Sequence, residues 1–225
     1  MLIPRFMFHS RLASFARRLR YSTNLSTWEK RGRPVPPPFP FKMAVLRSYA
    51  KQNDLKTMIE TGTYRGDMDY ALRSVFDRIV TIELSPELHS AAKRRFKALP
   101  HIECLGGDSS KILPRLLGEI DSPCLFWLDA HYSAGITAKG DAQTPISIEL
   151  EAVLKHYVTN HVILIDDARC FDGSNDYPLL SALETSVRKA RPDLSFSVEN
   201  DIIRILPDGS TRKLHEAVTS SSMLA

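Results

Sequence analysis

Five short, nearly unbroken apolar runs recur along this chain, each followed by a segment with helical character, and that alternation restricts the fold more than any other feature. The runs are "KTMIET" (56–61), "RIVTIEL" (78–84), "HIECLGG" (101–107), "CLFWLDA" (124–130) and "HVILIDDA" (161–168). Strands read this way when helices cover a parallel sheet on both faces. The helix candidates are "FKMAVLRSYAKQN", "MDYALRSVF", "ELHSAAKRRFKAL", "SSKILPRLLGEI", "PISIELEAVLKHY" and "YPLLSALETSVRKA". Pro86 is a good first helical residue for the third, and Pro114 limits or kinks the fourth. The end, "LSFSVENDIIRILPDG", predicts two strands joined by a tight Glu-Asn-Asp turn. The expected architecture is α/β: a doubly wound, mostly parallel sheet closed by a C-terminal hairpin.

The 225 residues suit one compact domain, placed at 41–210, with a basic extension and Pro-rich linker over 1–40 and a tail over 211–225. Charge is uneven. Residues 1–34 carry eight Lys/Arg against the single acid Glu29, whereas the remainder has 22 basic and 25 acidic side chains. The body is therefore not a basic nucleic-acid binder. The acid-poor head lacks the apolar core of a secretory signal; it reads as a loosely docked or disordered extension, a mitochondrial transit segment or a membrane-surface helix. "PVPPPFP" (34–40) reads as a stiff polyproline connector. No run approaches the ~18 apolar residues of a membrane span, so a cytoplasmic protein is expected. Cys104, Cys124 and Cys170 form no CxxC pair and read as small core hydrophobes in a reducing compartment.

In a doubly wound sheet, ligands bind beyond the carboxyl ends of the strands, so the last residues of each run carry the functional information. The first ends Glu60-Thr61-Gly62-Thr63-Tyr64-Arg65-Gly66, two glycines four apart that let backbone approach a ligand. It is not G-x-G-x-x-G, the pattern a dinucleotide's pyrophosphate requires. Glu83 ends the second run 23 residues after Glu60, placed to accept the hydroxyls of a ribose or, more plainly, to sit exposed before a helix. Asp108 and Ser109 follow the third; Asp108 can accept from an adenine amino group, cap the next helix, or both. Asp129 and His131 follow the fourth run, and Asp166-Asp167 the fifth. Three converging carboxylates repel unless something positive joins them: a hard divalent cation such as Mg²⁺, or Arg169. The stretch "YSAGITAKGDAQTP" (132–145) reads as a lid, with Gly135 and Gly140 as flexible points and Lys139 and Asp141 available to a polar acceptor. "CFDGSNDYP" (170–178) reads as the opposite wall, offering Asp172, Asn175 and Asp176.

"IETGTYRG", "VTIELSP", "GGDSSKILPRLL", "FWLDAHYS" and "ILIDDA", in this order over about residues 55–206, resemble class I S-adenosylmethionine-dependent methyltransferases. Within that class the pattern looks most like the metal-dependent O-methyltransferases of the macrocin and catechol types. The resemblance implies a Rossmann-like seven-stranded sheet with an antiparallel last strand. It also implies a cofactor held by Glu60, Gly62, Thr63, Tyr64, Gly66, Glu83, Asp108, Ser109 and Asp129, with Mg²⁺ or a similar ion on Asp129, Asp166 and Asp167. Asp67-Met68 replace the small residue and Ser usual after the second glycine, and Tyr132 stands where the catechol type has lysine. His131, one position earlier, is by analogy the base that deprotonates an acceptor hydroxyl, with Asp129 beside it, or else a structural hydrogen-bonder to the loop or the acids. The expected activity is methyl transfer to a hydroxyl of a small polar, sugar-like acceptor. The other readings are a nucleoside-binding module without catalysis, an NAD-dependent oxidoreductase and a metal hydrolase. Oligomeric state is not legible.

Overall fold

A computed structural model describes residues 23–130 and 144–208. A helical stretch at 23–30 precedes α1 (Phe39–Gln52). The sequence then alternates β1 (Thr57–Thr61), α2 (Asp67–Leu72), β2 (Arg78–Glu83), α3 (Pro86–Phe96), β3 (Ile102–Gly106), α4 (Ser109–Leu116), β4 (Cys124–Leu128), α5 (Ile146–Leu154), β5 (Val162–Ile165), α6 (Leu180–Ala190), β6 (Leu194–Glu199) and β7 (Ile202–Pro207). The sheet has seven strands in the order β3-β2-β1-β4-β5-β7-β6, with β7 antiparallel to both β5 and β6. Every expected strand and helix is present, and the doubly wound, Rossmann-like architecture with its antiparallel hairpin is the one found.

Residue parity along each central strand separates two cores. Met58, Ile79, Trp127 and Leu164 pack on one face with Leu46, Tyr49, Leu72 and Phe96. Ile59, Val80, Phe126 and Ile163 pack on the other with Leu113, Leu150 and Val187. Burial on both faces is why β1, β2, β4 and β5 are apolar almost without interruption. Strand β3, at one edge, is less buried, with only Ile102 fully covered. The β6–β7 turn rests on Asn200 and Asp201, both at positive φ (50° and 64°), the conformation of the two-residue turns whose twist matches paired strands. Helix α3 starts as expected, with Ser85 capping Leu88 N–H at 3.3 Å and Pro86 next. The three cysteines are free, and burial pushes the Cys104 and Cys124 thiols up to about 12, which suits inert packing residues.

The N-terminal boundary differs from expectation. Helix α1 begins at Phe39, with Pro40 inside its first turn, where a missing N–H costs nothing. The boundary at residue 41 thus falls within a helix. Trp28, from the basic extension, is buried against Phe41 with ring centroids 4.7 Å apart, and its indole N–H donates to Pro34 O at 2.7 Å. Arg33 lies 5.9 Å over the indole ring. The described part of the extension is therefore docked on the first core. Among the described residues no helix is long and apolar enough to cross a membrane.

Trp28→Ala removes a large side chain that is only 6% exposed and should destabilise the domain by about 3 kcal/mol in chemical denaturation. A change below about 0.5 kcal/mol would mean that the docking contributes nothing to stability.

Candidate active site

Strand register sets the candidate site. Thr61 pairs with Ile82 on one side and Leu128 on the other, and Leu128 pairs with Ile165. The ladder runs one step past the strands: Gly62 N–H donates to Ile82 O (2.9 Å), Asp129 N–H to Thr61 O (3.1 Å), and Asp166 N–H to Leu128 O (3.1 Å). Gly62, Asp129 and Asp166 therefore stand in one row at the switch point between β1 and β4, where chain direction across the sheet reverses and ligands bind.

Both glycines of the first turn are required, for reasons the spacing alone did not supply. Gly62 sits at φ +87°, and a Cβ there would lie 2.5 Å from the Asp129 carbonyl oxygen. The turn must meet the β4 tip backbone to backbone. Gly66, at φ +69°, abuts the Phe96 ring. Between them Tyr64 N–H donates to Glu83 Oε2 (2.7 Å), while Ser85 N–H donates to Oε1 (2.8 Å). Glu83 is thus not the exposed acid of the plain reading; it is 6% exposed and held by two backbone donors. Each oxygen keeps a lone pair for a hydroxyl.

Glu60 turns beneath the turn. Its Oε2 accepts from Thr81 Oγ1 (2.8 Å), which lies 2.6 Å from Thr63 Oγ1. Burial first, then the nearby Asp69, pushes the Glu60 carboxyl well above the ordinary range, and burial lifts Asp69 to about 6. Glu60 and Asp69 thus brace the turn from below. Asp67 pairs with Arg95 at 2.8 Å and Met68 is buried, so the two departures from the family pattern are absorbed by ordinary packing.

Asp108 caps α4, accepting from Ser110 N–H (3.0 Å) and Oγ (2.7 Å), and pairs with Lys111 at 3.3 Å. Ser109 is buried beside it. The cap is realised.

Asp129, Asp166 and Asp167 converge, with one carboxylate oxygen from each lying within 4.8 Å of the others. Asp167, at φ +56°, pairs with Arg169 (2.8 Å), and Arg169 also bonds Asp201 in the hairpin turn. The cation that sequence reasoning missed is Lys42, which reaches from α1 to Asp166 and lies 3.8 Å from Asp167. Burial alone would lower the Lys42 pKa, but the charge of Asp166 and its hydrogen bond outweigh burial and leave it raised. The signal was a lysine inside the buried apolar run "PFKMAVL". Asp166 is pushed up to about 7 by burial and then by Asp129, and its buried Oδ1 has no hydrogen-bond partner among the described residues.

A small pocket opens here, lined by Leu128, Asp129, Ala130, Thr144, Ile146 and Tyr177, among others. Tyr177 supplies the wall expected from residues 170–178. Asp172 instead closes its own loop, accepting from Ser174 N–H (2.9 Å) and Oγ (2.6 Å). His131, Gly135, Lys139, Gly140 and Asp141 lie outside the described residues. Glu149, also missed, is fully buried on the sheet face opposite Glu60. Burial lifts it to about 7 against the influence of Ser109 and Thr61, and the charges of Asp108 and Asp129 push the same way.

No protein-family model and no curated protein sequence matches the chain. Solved structures do. An O-methyltransferase from Bacillus cereus in complex with SAH superposes with TM-score 0.56 at 18% identity, over 83% of this chain and 90% of that one. The O-methyltransferase TomG from Streptomyces achromogenes, in complex with SAM, gives 0.53 at 18%, over 84% and 89%. The 23S rRNA methyltransferase ErmE gives 0.52 at 15%, over 75% and 68%.

Gly62→Ala should cost at least about 2 kcal/mol, since strain at positive φ adds to a backbone clash that no rotamer relieves. The Glu149 carboxyl, raised in the folded state, binds a proton that the unfolded chain has released between about pH 4.5 and 7, so its contribution to stability falls as pH rises through that window. Glu149→Gln removes this loss. At pH 8 it should be about 2 kcal/mol more stable than wild type, converging near pH 4, in paired denaturation curves. Strand order, register and these superpositions agree that the chain has the class I S-adenosylmethionine-dependent methyltransferase fold.

Proposed function

We propose that this chain is an S-adenosylmethionine-dependent methyltransferase acting on a hydroxyl of a small, polar, polyhydroxylated or sugar-like acceptor. The observation that carries the reading is Glu83, a buried carboxylate fixed by Tyr64 and Ser85 N–H groups beside the glycine turn at the switch point. A ribose diol suits such an acceptor, and a pyrophosphate does not. Solved structures of this fold with SAM or SAH bound add support.

In this reading Glu83 holds the ribose, Asp108 and Ser109 the adenine end, and the turn from Gly62 to Gly66 flanks the methionine part with Thr63, Tyr64 and Asp129. Glu60 keeps that turn rigid from beneath. The bound cofactor supplies a methyl group on a positively charged sulfur, and transfer is an in-line displacement, so positioning provides most of the catalysis. The chain must also take the acceptor's proton, and His131 is the base we assign, working near neutral pH.

Asp129, Asp166 and Asp167 fit a divalent cation in donor chemistry, and the unpartnered Asp166 Oδ1 is a site such an ion would satisfy. A bound ion would lower the pKa of the acceptor hydroxyl. The carboxylates around the pocket repel a phosphate backbone, which favours a small acceptor over RNA although ErmE shares the fold. The acids at the pocket and the polar residues of 170–178 favour a hydrophilic acceptor.

Calorimetric titration of S-adenosylmethionine should give micromolar affinity that Glu83→Ala weakens by at least about tenfold. Equal affinity in the variant would remove Glu83 from the cofactor site, and no binding by wild type would sink the methyltransferase reading.

A further inference from the structure

Lys42 holds a position that the proposed function leaves unexplained. It is the fourth residue of α1, flanked by the buried Phe41 and Met43, and its side chain reaches Asp166, the residue after β5. Its ammonium bonds Asp166 Oδ2 and lies 3.8 Å from Asp167 Oδ1, so it stands between two of the three acids that converge at the strand tips. Those acids can gather round a single small cation, because one oxygen from each lies within 4.8 Å of the others. A divalent ion sits about 2.0–2.6 Å from each oxygen ligand, so an ion seated on Asp166 Oδ2 and Asp167 Oδ1 would need the space that the ammonium takes.

Two further observations distinguish this from a structural ion pair. The ammonium leaves the site half satisfied, since Asp166 Oδ1 is buried with no hydrogen-bond partner among the described residues. The lysine side chain also retains an exit, being 16% exposed where that of Asp166 is 3%. Its four-carbon stem allows the charge to swing toward water without moving α1. Arg169 cannot substitute, because its guanidinium is shared between Asp167 and Asp201 on the far side.

We propose that Lys42 is a tethered cation that occupies the acid cluster and competes with a divalent ion for it, so that metal binding requires Lys42 to withdraw. The inference rests on the acids forming a cation site, not on methyl transfer. With Lys42 seated the cluster is closed; with the ion seated the ammonium is released toward solvent.

The test is a Mn²⁺ titration of the full chain, followed by electron paramagnetic resonance of the free ion. Lys42→Met should bind Mn²⁺ at least about tenfold tighter than wild type, while Lys42→Arg, which keeps the charge, should bind no tighter than wild type. Equal affinity in wild type and Lys42→Met overturns the competition while leaving the cation site standing. Absence of binding in both overturns the cation site as well, and neither result touches the cofactor titration. Should Lys42→Met fail to fold, wild type alone decides the matter. Acetic anhydride labelling read by mass spectrometry should show Lys42 several times more reactive with saturating Mn²⁺ than without, and an unchanged reactivity overturns the proposal.

Discussion

Register between β1 and its two neighbours is the constraint on which the rest depends. Hydrogen bonds from Gly62 to Ile82, from Asp129 to Thr61 and from Asp166 to Leu128 extend the parallel ladder one residue beyond the strands. They align three strand tips in a row. A slip of one residue would exchange the two cores, sending Trp127 to the side of Phe126 and turning Asp129 away from the switch point. The absent Cβ of Gly62 belongs to the same constraint, because the β1 turn can close on the β4 tip only where backbone meets backbone.

The site then divides into two halves with opposite electrostatic demands. On the side of β1 to β3, carboxylates are satisfied internally: Glu83 by backbone N–H groups, Asp108 by its own helix cap, Glu60 by Thr81. These groups are rigid and offer hydroxyl- and amine-binding lone pairs. On the side of β4 and β5, Asp129, Asp166 and Asp167 crowd together, with Lys42 and a shared Arg169 bringing positive charge to them. Desolvation raises the Asp166 carboxyl there, and a cation relieves it.

The sheet was legible because burial on both faces leaves little choice of residue, and the apolar runs mark each strand to within three residues at either end. The strand-tip acids were legible because polar residues ending an apolar run have few cheap structural explanations. Lys42 was not, since 124 residues separate it from Asp166 and helical periodicity reports a face without naming its partner. Glu149 and Asp69 were hidden for the same reason: each sits in a helix where a charged residue ordinarily faces water. Trp28 lay in a segment dominated by basic charge, so its docking could not be read from composition. The reason for the glycines also emerged only in three dimensions, as a contact with Asp129 and Phe96.

A crystal structure of the full chain with S-adenosylhomocysteine tests the central claim most directly. Adenosine should lie across the tips of β1, β2 and β3, with both ribose hydroxyls on Glu83 and the thioether sulfur directed toward Asp129. Adenosine bound elsewhere, or a Glu83 carboxylate that contacts no ribose oxygen, would contradict it.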